Sequence, residues 1–446
     1  MAKSISSNQS DLLENLKKKK SNIGIIGMGY VGLPLAYAFS KKNFKVIGFD
    51  TDKDKVEKLN KSESYIKHIS NKKISLMLRK DFHATTNFQE LSSVDIIVIC
   101  VPTPLKLNRS PDLSHIKNTA VEIEKYLNKG QLIILESSTY PGTTDEELCK
   151  LLEGKKYKRD KDFFLAYSPE REDPGNKKFS TPDIPKIVGS NHAFTSIYAK
   201  ELYKTIIKKV IVVENTKTAE AIKLTENIYR SVNIALVNEL KVIYEAMGID
   251  VWKVIEGAKT KPFGFQAFYP GPGLGGHCIP IDPFYLSYKS DMLGIPARFI
   301  ELAGEINRDM PDLIVKKIIN YLRSALPKTK KNTKVLIIGL AYKKDVDDMR
   351  ESPSLYLLEK LHKKGIEVDF FDPLIKIIPK NRDHKKLEGK KSIVLNKNNL
   401  ERYDAVLIST DHTTIDFKFI GENSKLIFDT RNAMDKINSK SKIIKI

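Results

Sequence analysis

The sequence predicts an α/β protein: two lobes of alternating strand and helix joined by a helical middle. Three observations carry this. Short apolar runs alternate with helical patterns over residues 22–213. One unbroken helical pattern then runs from Thr216 to about Met247. A second strand–turn–helix begins at Lys334.

In the first lobe the apolar runs are Asn22–Gly27, Lys45–Asp50, Asp95–Val101, Gln131–Glu136, Phe163–Tyr167 and Lys186–Gly189. Buried strands interleaved with helices imply a parallel sheet covered on both faces. In the middle, Ala219, Ile222, Ile228, Val232, Ala235, Leu236, Leu240 and Ile243 recur at helical spacing, with no Pro or Gly before Gly248. This reads as one long helix, a divider between lobes and a dimer seam. A further helical stretch covers Ala297 to about Ala325 and is expected to break at Pro311. Between the two lies a Gly/Pro-rich segment, Lys261–Pro283. Pro327–Thr333 reads as a linker. The second lobe has apolar runs at Val335–Gly339, Glu367–Phe371, Ala405–Ser409 and Lys425–Asp429, with a helix over Ser354–Lys364. The expected division is a polar tail over 1–21, lobes over 22–213 and 327–446, and the helical middle over 214–326.

Composition bounds the function. The chain has 446 residues, 41% hydrophobic and 29% charged, as in a soluble globular protein. No apolar run reaches the roughly 18 residues of a membrane span. The segment before Asn22 ends in Lys17-Lys18-Lys19-Lys20 and lacks the apolar core of a secretion signal, so a cytoplasmic protein with a frayed, solvated helix or tail at its N-terminus is expected. The three cysteines, Cys100, Cys149 and Cys278, form no CxxC pair, so neither a metal site nor a disulfide framework is indicated. A net charge of +20 invites a nucleic-acid reading, but few aromatics interleave the lysine runs and no nucleic-acid motif accompanies them. Solvated surface charge is the simpler account.

Gly27-Met28-Gly29-Tyr30-Val31-Gly32 is GxGxxG between a strand and a helix, the pattern of a Rossmann-like dinucleotide site. Gly27 permits the tight turn, Gly29 the approach of a pyrophosphate, and Gly32 close helix–strand packing. The helix N-terminus offers N–H groups and a positive dipole end to phosphate. Asp50 ends the next strand, about 20 residues on, where a carboxylate binds ribose hydroxyls and repels a 2′-phosphate. NAD is therefore expected as cofactor.

The second unusual stretch is Gly271-Pro272-Gly273-Leu274-Gly275-Gly276-His277-Cys278-Ile279-Pro280-Ile281-Asp282-Pro283. A lone cysteine is usually a small buried hydrophobe. A cysteine after a Gly-rich loop can instead be presented to a ligand, with Asp282 near in sequence and His277 either a base or a structural group. The pairing with NAD has a chemical reason. One hydride removed from an alcohol gives an aldehyde, and a second removal requires a tetrahedral carbon bearing oxygen and hydrogen. A thiolate adding to the aldehyde makes that thiohemiacetal; oxidation gives a thioester, and water releases the acid.

With these residues in place, the chain from Asn22 onward resembles the nucleotide-sugar 6-dehydrogenases that include UDP-glucose dehydrogenase. The resemblance rests on Gly27–Gly32 with Asp50, Val101-Pro102-Thr103-Pro104, Glu136–Thr144, Ser168-Pro169-Glu170-Arg171, Lys223 with Asn227, Gly275–Cys278 and Gly339–Lys344. The loops Lys261–Phe265 and Tyr269–Pro283 are similar to those of UDP-N-acetylglucosamine 6-dehydrogenases, and UDP-N-acetylmannosamine enzymes are close to these.

The resemblance implies oxidation of a UDP-sugar CH₂OH to carboxylate by two NAD, feeding surface polysaccharide synthesis, in a homodimer or larger homo-oligomer. It assigns Cys278 as nucleophile and Lys223 and Asn227, one helical turn apart, as oxyanion partners. Asp282 becomes base or water-orienting group. Thr139 and Glu170 position water, although Thr139 also reads as a turn residue and Glu170 as a helix cap. Met28, Tyr30, Val31, Thr103 and Thr139 line the cofactor with the glycines and Asp50. Glu170, Arg171, Lys223, Asn227, Arg230, Gly275, His277, Lys343 and Arg431 line the substrate, with Arg298 as a further candidate. Lys343 and Arg431 read equally as surface charge. Two positions depart from the glucose branch: Ile281 stands where a lysine is usual, and Pro174 where a second glutamate is usual. A two-electron dehydrogenase of the 3-hydroxyacid type explains the first lobe and the helices, but not the second lobe or the cysteine loop.

Overall fold

The computed structural model describes residues 7–66, 69–106, 108–154, 156–172, 181–276, 278–325, 332–380 and 384–446. They form two compact units: Met1–Glu226 with Phe284–Pro296, and Asn227–Pro283 with Ala297–Ile446. The helical middle is thus divided between the two units.

The first unit contains strands β1 (Ile23–Ile26), β2 (Val46–Phe49), β3 (Phe82–Thr85), β4 (Ile96–Ile99), β5 (Leu132–Leu135), β6 (Phe164–Tyr167), β7 (Lys186–Gly189) and β8 (Val210–Val213). Their order among the described residues is β3-β2-β1-β4-β5-β6-β7-β8. The first six repeat the 3-2-1-4-5-6 order of dinucleotide-binding sheets. All pair in parallel except β6 with β7. β3 and β8 escape the apolar-run criterion for different reasons. Phe82-His83-Ala84-Thr85 alternates burial, and both central residues of β8, Ile211 and Val212, are exposed.

The N-terminal segment departs from the expected solvated helix or tail in being docked. Ser7–Lys17 is a helix, and Leu16 is wholly buried in the core beneath the sheet, with Leu12 and Leu13 packed against it. Three leucines among polar residues give too weak a signal to outweigh the lysine run in sequence, yet they suffice once a hydrophobic surface exists to receive them.

The second unit carries β9 (Lys334–Ile338), β10 (Glu367–Phe371), β11 (Ala405–Ile408), β12 (Leu426–Asp429) and β13 (Lys442–Lys445). These are parallel in the order β10-β9-β11-β12-β13. This lobe is also doubly wound, but it has the 2-1-3-4-5 order of the flavodoxin type. Its helix Pro353–Lys363 starts on the Ser352 cap.

The helix Arg298–Ala325 runs through Pro311 without the expected break. Proline removes one bond and crowds the carbonyl of Asn307. Asn307 is held by its side chain, which accepts from Asn238 Nδ2 at 3.0 Å and donates to Ser231 O at 3.1 Å. Burial of Asn307, Met310 and Pro311 keeps the turn in place.

The long helix is Thr216–Ala246, as its periodicity predicts. Its buried face is mixed: the apolar Ala219, Leu224, Ala235 and Val237 are buried together with polar residues. Thr216, Glu220, Lys223, Asn227, Ser231, Asn238 and Lys241 are buried, whereas Tyr229, Leu236 and Ile243 are about half exposed. No helix among the described residues is long and apolar enough to cross a membrane.

Leu16→Ala is expected to destabilise the first unit by about 2–4 kcal/mol, the range for emptying a buried leucine site. Urea titration checks this, since a solvated tail would leave the midpoint unchanged.

Candidate active site

The turn after β1 is built as its glycines predict. Gly27 has φ +95°, and a Cβ there would lie 2.6 Å from Cys100 O. A Cβ on Gly32 would strike Gly27 O. Gly29 is different: nothing lies within 4 Å of where its Cβ would be. Its small size is required by no protein neighbour, which fits backbone left open to a pyrophosphate.

Asp50 is buried and does two things. Its Oδ2 accepts the Met28 N–H at 2.9 Å and its Oδ1 accepts the Asp52 N–H at 3.0 Å. Lys55 Nζ stands 3.5 Å away. The carboxylate therefore fixes the glycine turn while retaining lone pairs for ribose hydroxyls. Tyr65 braces the same turn by donating to Met28 O at 2.5 Å. Val31 precedes the helix Gly32–Lys41 without a side-chain cap, and Tyr30 is 40% exposed. Thr103 is buried, its carbonyl accepting the Tyr285 hydroxyl. Thr139 is wholly buried, and its hydroxyl has no partner among the described residues. An orphaned hydroxyl beyond the carboxyl end of β5 is a place where a ligand atom would repay its desolvation.

Beside it lies a cluster that periodicity does not announce. Lys186 Nζ sits 3.1 Å from both Glu136 Oε2 and Glu170 Oε2, and Tyr203 donates to Glu136. Burial pushes the Glu136 carboxyl up. Burial pushes Glu170 the same way, but Lys186, the Glu172 N–H and Lys223 outweigh it and hold Glu170 below the usual range. Burial alone would lower Lys186, but Glu136 and Glu170 raise it. Glu170 is therefore a carboxylate at neutral pH, able to accept a proton or orient water but not to donate. Cys100 lies near this cluster, and burial raises its thiol well above normal. That keeps it a neutral thiol, unsuited to attack.

Lys223 is buried and its Nζ donates to Glu170 O at 2.5 Å, so it is not a solvated surface lysine. Glu170 also accepts the Arg171 and Glu172 N–H groups at 2.7 and 2.6 Å. Arg171 spends its guanidinium on Glu226 and on Pro185 O, at 2.5 and 2.6 Å. These bonds tie the segment after Glu170 to the long helix.

In the second unit the cysteine loop is anchored along its length. Gly271 N–H donates to Asn238 Oδ1 at 3.0 Å, and Gly276 N–H to Arg350 O at 2.9 Å. A Cβ on Gly275 would come 2.6 Å from Tyr342 Cβ, and one on Gly276 2.9 Å from the Tyr342 ring. These two glycines are thus demanded by packing on the loop after β9, not by a ligand alone. Cys278 is half-buried, and its carbonyl accepts the N–H groups of Ile281 and Asp282 at 3.1 and 2.8 Å. That turn opens the helix Asp282–Met292. The buried Asp282 carboxylate accepts from Asn227 Nδ2, and Asn227 Oδ1 accepts from Arg230. His277 and Pro174 lie outside the described residues.

Arg431 follows β12, donates through Nε to Ser409 O at 2.8 Å, and lies 2.5 Å from where a Gly271 Cβ would be. Burial lowers its guanidinium from the ordinary value. It is a built-in loop arginine rather than surface charge. Lys343 is half-buried in the loop after β9, and Arg298 is exposed. Sequence reasoning passed over Asp372, which repeats the arrangement of Asp50. Its carboxylate accepts Leu340, Ala341, Leu374 and Ile375 N–H groups at 2.7–3.1 Å. His412 Nε2 lies 3.2 Å from Asp372. Because His412 Nδ1 accepts the Asp345 N–H at 3.0 Å, Nε2 carries the proton donated to Asp372. The only signal for Asp372 was its place after an apolar run. For Glu136 and Lys186 it was a charge inside or ending such a run.

Three segments of the chain match one family. Residues 21–207 match the NAD binding domain of the UDP-glucose/GDP-mannose dehydrogenase family, 217–309 its central domain, and 336–436 its UDP binding domain. The chain therefore belongs to that family and is an NAD-dependent oxidoreductase. It is 35% identical over 437 residues to a UDP-N-acetyl-D-mannosamine dehydrogenase of Methanocaldococcus jannaschii, covering 94% of this chain and 95% of the relative. It is 33% identical over 361 residues to a UDP-N-acetyl-D-glucosamine 6-dehydrogenase of Pseudomonas aeruginosa, covering 80% and 84%. The structure of a UDP-D-ManNAc dehydrogenase from Pyrococcus horikoshii superposes with TM-score 0.84 at 29% identity, covering 95% and 99%.

Removing the ammonium of Lys186 leaves two buried carboxylates facing each other. Lys186→Met is expected to cost about 3–5 kcal/mol, the range for breaking a buried pair. Adding Glu136→Gln should recover part of the loss, as a double-mutant cycle in urea would measure.

Proposed function

We propose that this chain oxidises the C6 hydroxymethyl of a UDP-N-acetylhexosamine to the carboxylate, with Cys278 as covalent nucleophile. The observation that carries the reading is the rigid anchoring of the Cys278 loop beside the Asn227–Asp282 pair, in a chain that also carries the NAD turn at Gly27–Gly32. NAD, when bound, supplies the hydride acceptor for both oxidation steps.

The chain's own groups divide the remaining work. The Cys278 thiolate adds to the aldehyde carbon, forming a C–S bond and a thiohemiacetal. Oxidation leaves a thioester, which water opens; the C–S bond breaks and the thiolate returns. Asn227 is oriented by Arg230 and Asp282 and has a second N–H for the oxyanion. Lys223 adds positive charge to that role. Glu170, held as a carboxylate by Lys186, and Thr139 orient water, and Asp282 accepts its proton. Asp50, Thr103, Thr139 and the glycine turn hold the cofactor. Lys343 and Arg431 hold the diphosphate.

The loops Lys261–Phe265 and Tyr269–Pro283 led to UDP-N-acetylglucosamine as the expected sugar. Relatives of both C2 configurations stand at comparable identity, so the proposal is made for the N-acetylhexosamine class. We also infer self-association through the long helix, where Tyr229, Leu236 and Ile243 recur every seventh residue at 48, 49 and 47% exposure.

NADH release with UDP-N-acetylglucosamine, UDP-N-acetylmannosamine and UDP-glucose tests the substrate. Two NADH per sugar are expected from an N-acetylated sugar, and one NADH with a stable aldehyde would overturn the mechanism. Cys278→Ala should cut carboxylate formation on the order of 10³-fold or more. Leu236→Lys should shift the sedimentation coefficient to that of the monomer.

A further inference from the structure

Glu220 lies on the buried face of the long helix, and nothing above gives it a role. Its Oε2 accepts the Gly142 N–H at 2.6 Å. Its Oε1 accepts the Thr144 N–H at 2.9 Å and the Thr144 hydroxyl at 2.7 Å. All three donors belong to the turn that follows β5. Gly142 holds φ +105° there, and the turn closes through Thr143 N–H and its hydroxyl on Tyr140 O, at 3.1 and 2.8 Å. Three residues before Gly142 stands Thr139, wholly buried with its hydroxyl unpartnered. A turn that must present an unsatisfied hydroxyl cannot be held by that hydroxyl, so its position has to be fixed elsewhere.

We propose that Glu220 is a positioning residue that clamps the Tyr140–Thr144 turn to the long helix and thereby sets Thr139 against the cofactor. The cofactor role of Thr139 rests on the proposed function; the clamp itself does not.

The clamp depends on ionisation. Three donors spread over two oxygens suit a carboxylate, whereas protonation turns one oxygen into a donor facing N–H groups. Burial pushes Glu220 up to about 7, against the opposing pull of the Thr144 hydroxyl and the Gly142 and Thr144 N–H groups, with Asp145 adding to the rise. The surrounding charges are otherwise spent. Asp145 pairs with Arg159, and Glu146 with Lys217 and Lys289. Lys223 donates to Glu170 O. Because these donors lower the Glu220 value, losing them from a carboxyl that stays buried raises it further; protonation therefore favours the released turn, and the clamp is complete above about pH 7 and opens as pH falls through it.

The test uses the full chain and two readouts over pH 5.5 to 8.5, in round values chosen to bracket about 7. One is amide hydrogen exchange of the 140–144 segment, corrected for intrinsic rates. The other is NADH affinity by fluorescence. In the native protein, protection should fall and NADH binding weaken together as pH drops through about 7. Glu220→Gln should weaken NADH binding about tenfold at high pH, the scale of one charge-assisted hydrogen bond, and abolish the pH limb. Thr144→Val, which removes one donor yet keeps a β-branched shape, should move the limb to higher pH, because that donor lowers the Glu220 value. This variant keeps the inference testable if Glu220→Gln does not fold. A limb that is absent from exchange in the native protein, or unmoved in Thr144→Val, overturns the clamp. If the native protein shows the exchange limb but binds no NADH, the clamp stands and the cofactor reading falls.

Discussion

A polar stripe buried along a helix is the constraint on which the sites of this protein depend. Along Thr216–Ala246, the polar residues buried beside Ala219, Leu224 and Ala235 are Thr216, Glu220, Lys223, Asn227, Ser231, Asn238 and Lys241. Each buried polar group costs free energy unless it is paired, so each dictates what lies opposite it. In the first unit Thr216 takes Asp145, Glu220 the Gly142–Thr144 turn, and Lys223 the Glu170 carbonyl. In the second unit Asn227 takes Asp282, and Asn238 takes both Asn307 and the Gly271 N–H. The partners are the loops to which the proposed function assigns the chemistry.

This arrangement gives irregular segments the precision of a regular element. The cysteine loop has no secondary structure of its own before Asp282, yet Gly271, Gly276 and Cys278 each have a backbone bond that fixes them. A site resting on loops needs such second contacts to hold a nucleophile within catalytic tolerance. The same logic governs the two carboxylates at the strand ends. Asp50 and Asp372 each collect backbone N–H groups from the turn after the neighbouring strand. The two lobes solve one problem alike, although only the first has a recognisable glycine motif.

Buried charge in the first unit is balanced locally. Glu136, Lys186 and Glu170 share one ammonium between two carboxylates, and Tyr203 supplies a further donor. The result is a carboxylate at Glu170 whose ionisation is set by neighbours rather than by solvent. Cys100, close to the same charges, is driven the other way and stays a thiol. Burial raises the thiol of Cys149 as well, so neither of these two cysteines is suited to attack.

By itself the sequence determined the α/β class, the apolar strands, the span of the long helix, the NAD turn and the glycine-rich course of the loop before Cys278. Each of these rests on local periodicity or on a glycine that backbone geometry demands, and such signals are complete within a few residues. Tertiary structure alone decided that polar residues share the buried face of the long helix with Ala219, Leu224 and Ala235 while Leu236 and Ile243 stay half exposed, because helical periodicity does not record which residues a neighbouring surface covers. It decided that Leu12, Leu13 and Leu16 turn a lysine-rich tail into a docked helix, and that Pro311 does not end one. It also tied Arg171 to Glu226, and brought Glu136, Lys186 and Glu220 to their partners. Those outcomes depend on groups 50 to 78 residues apart, and no local pattern records a desolvation cost that only the fold imposes.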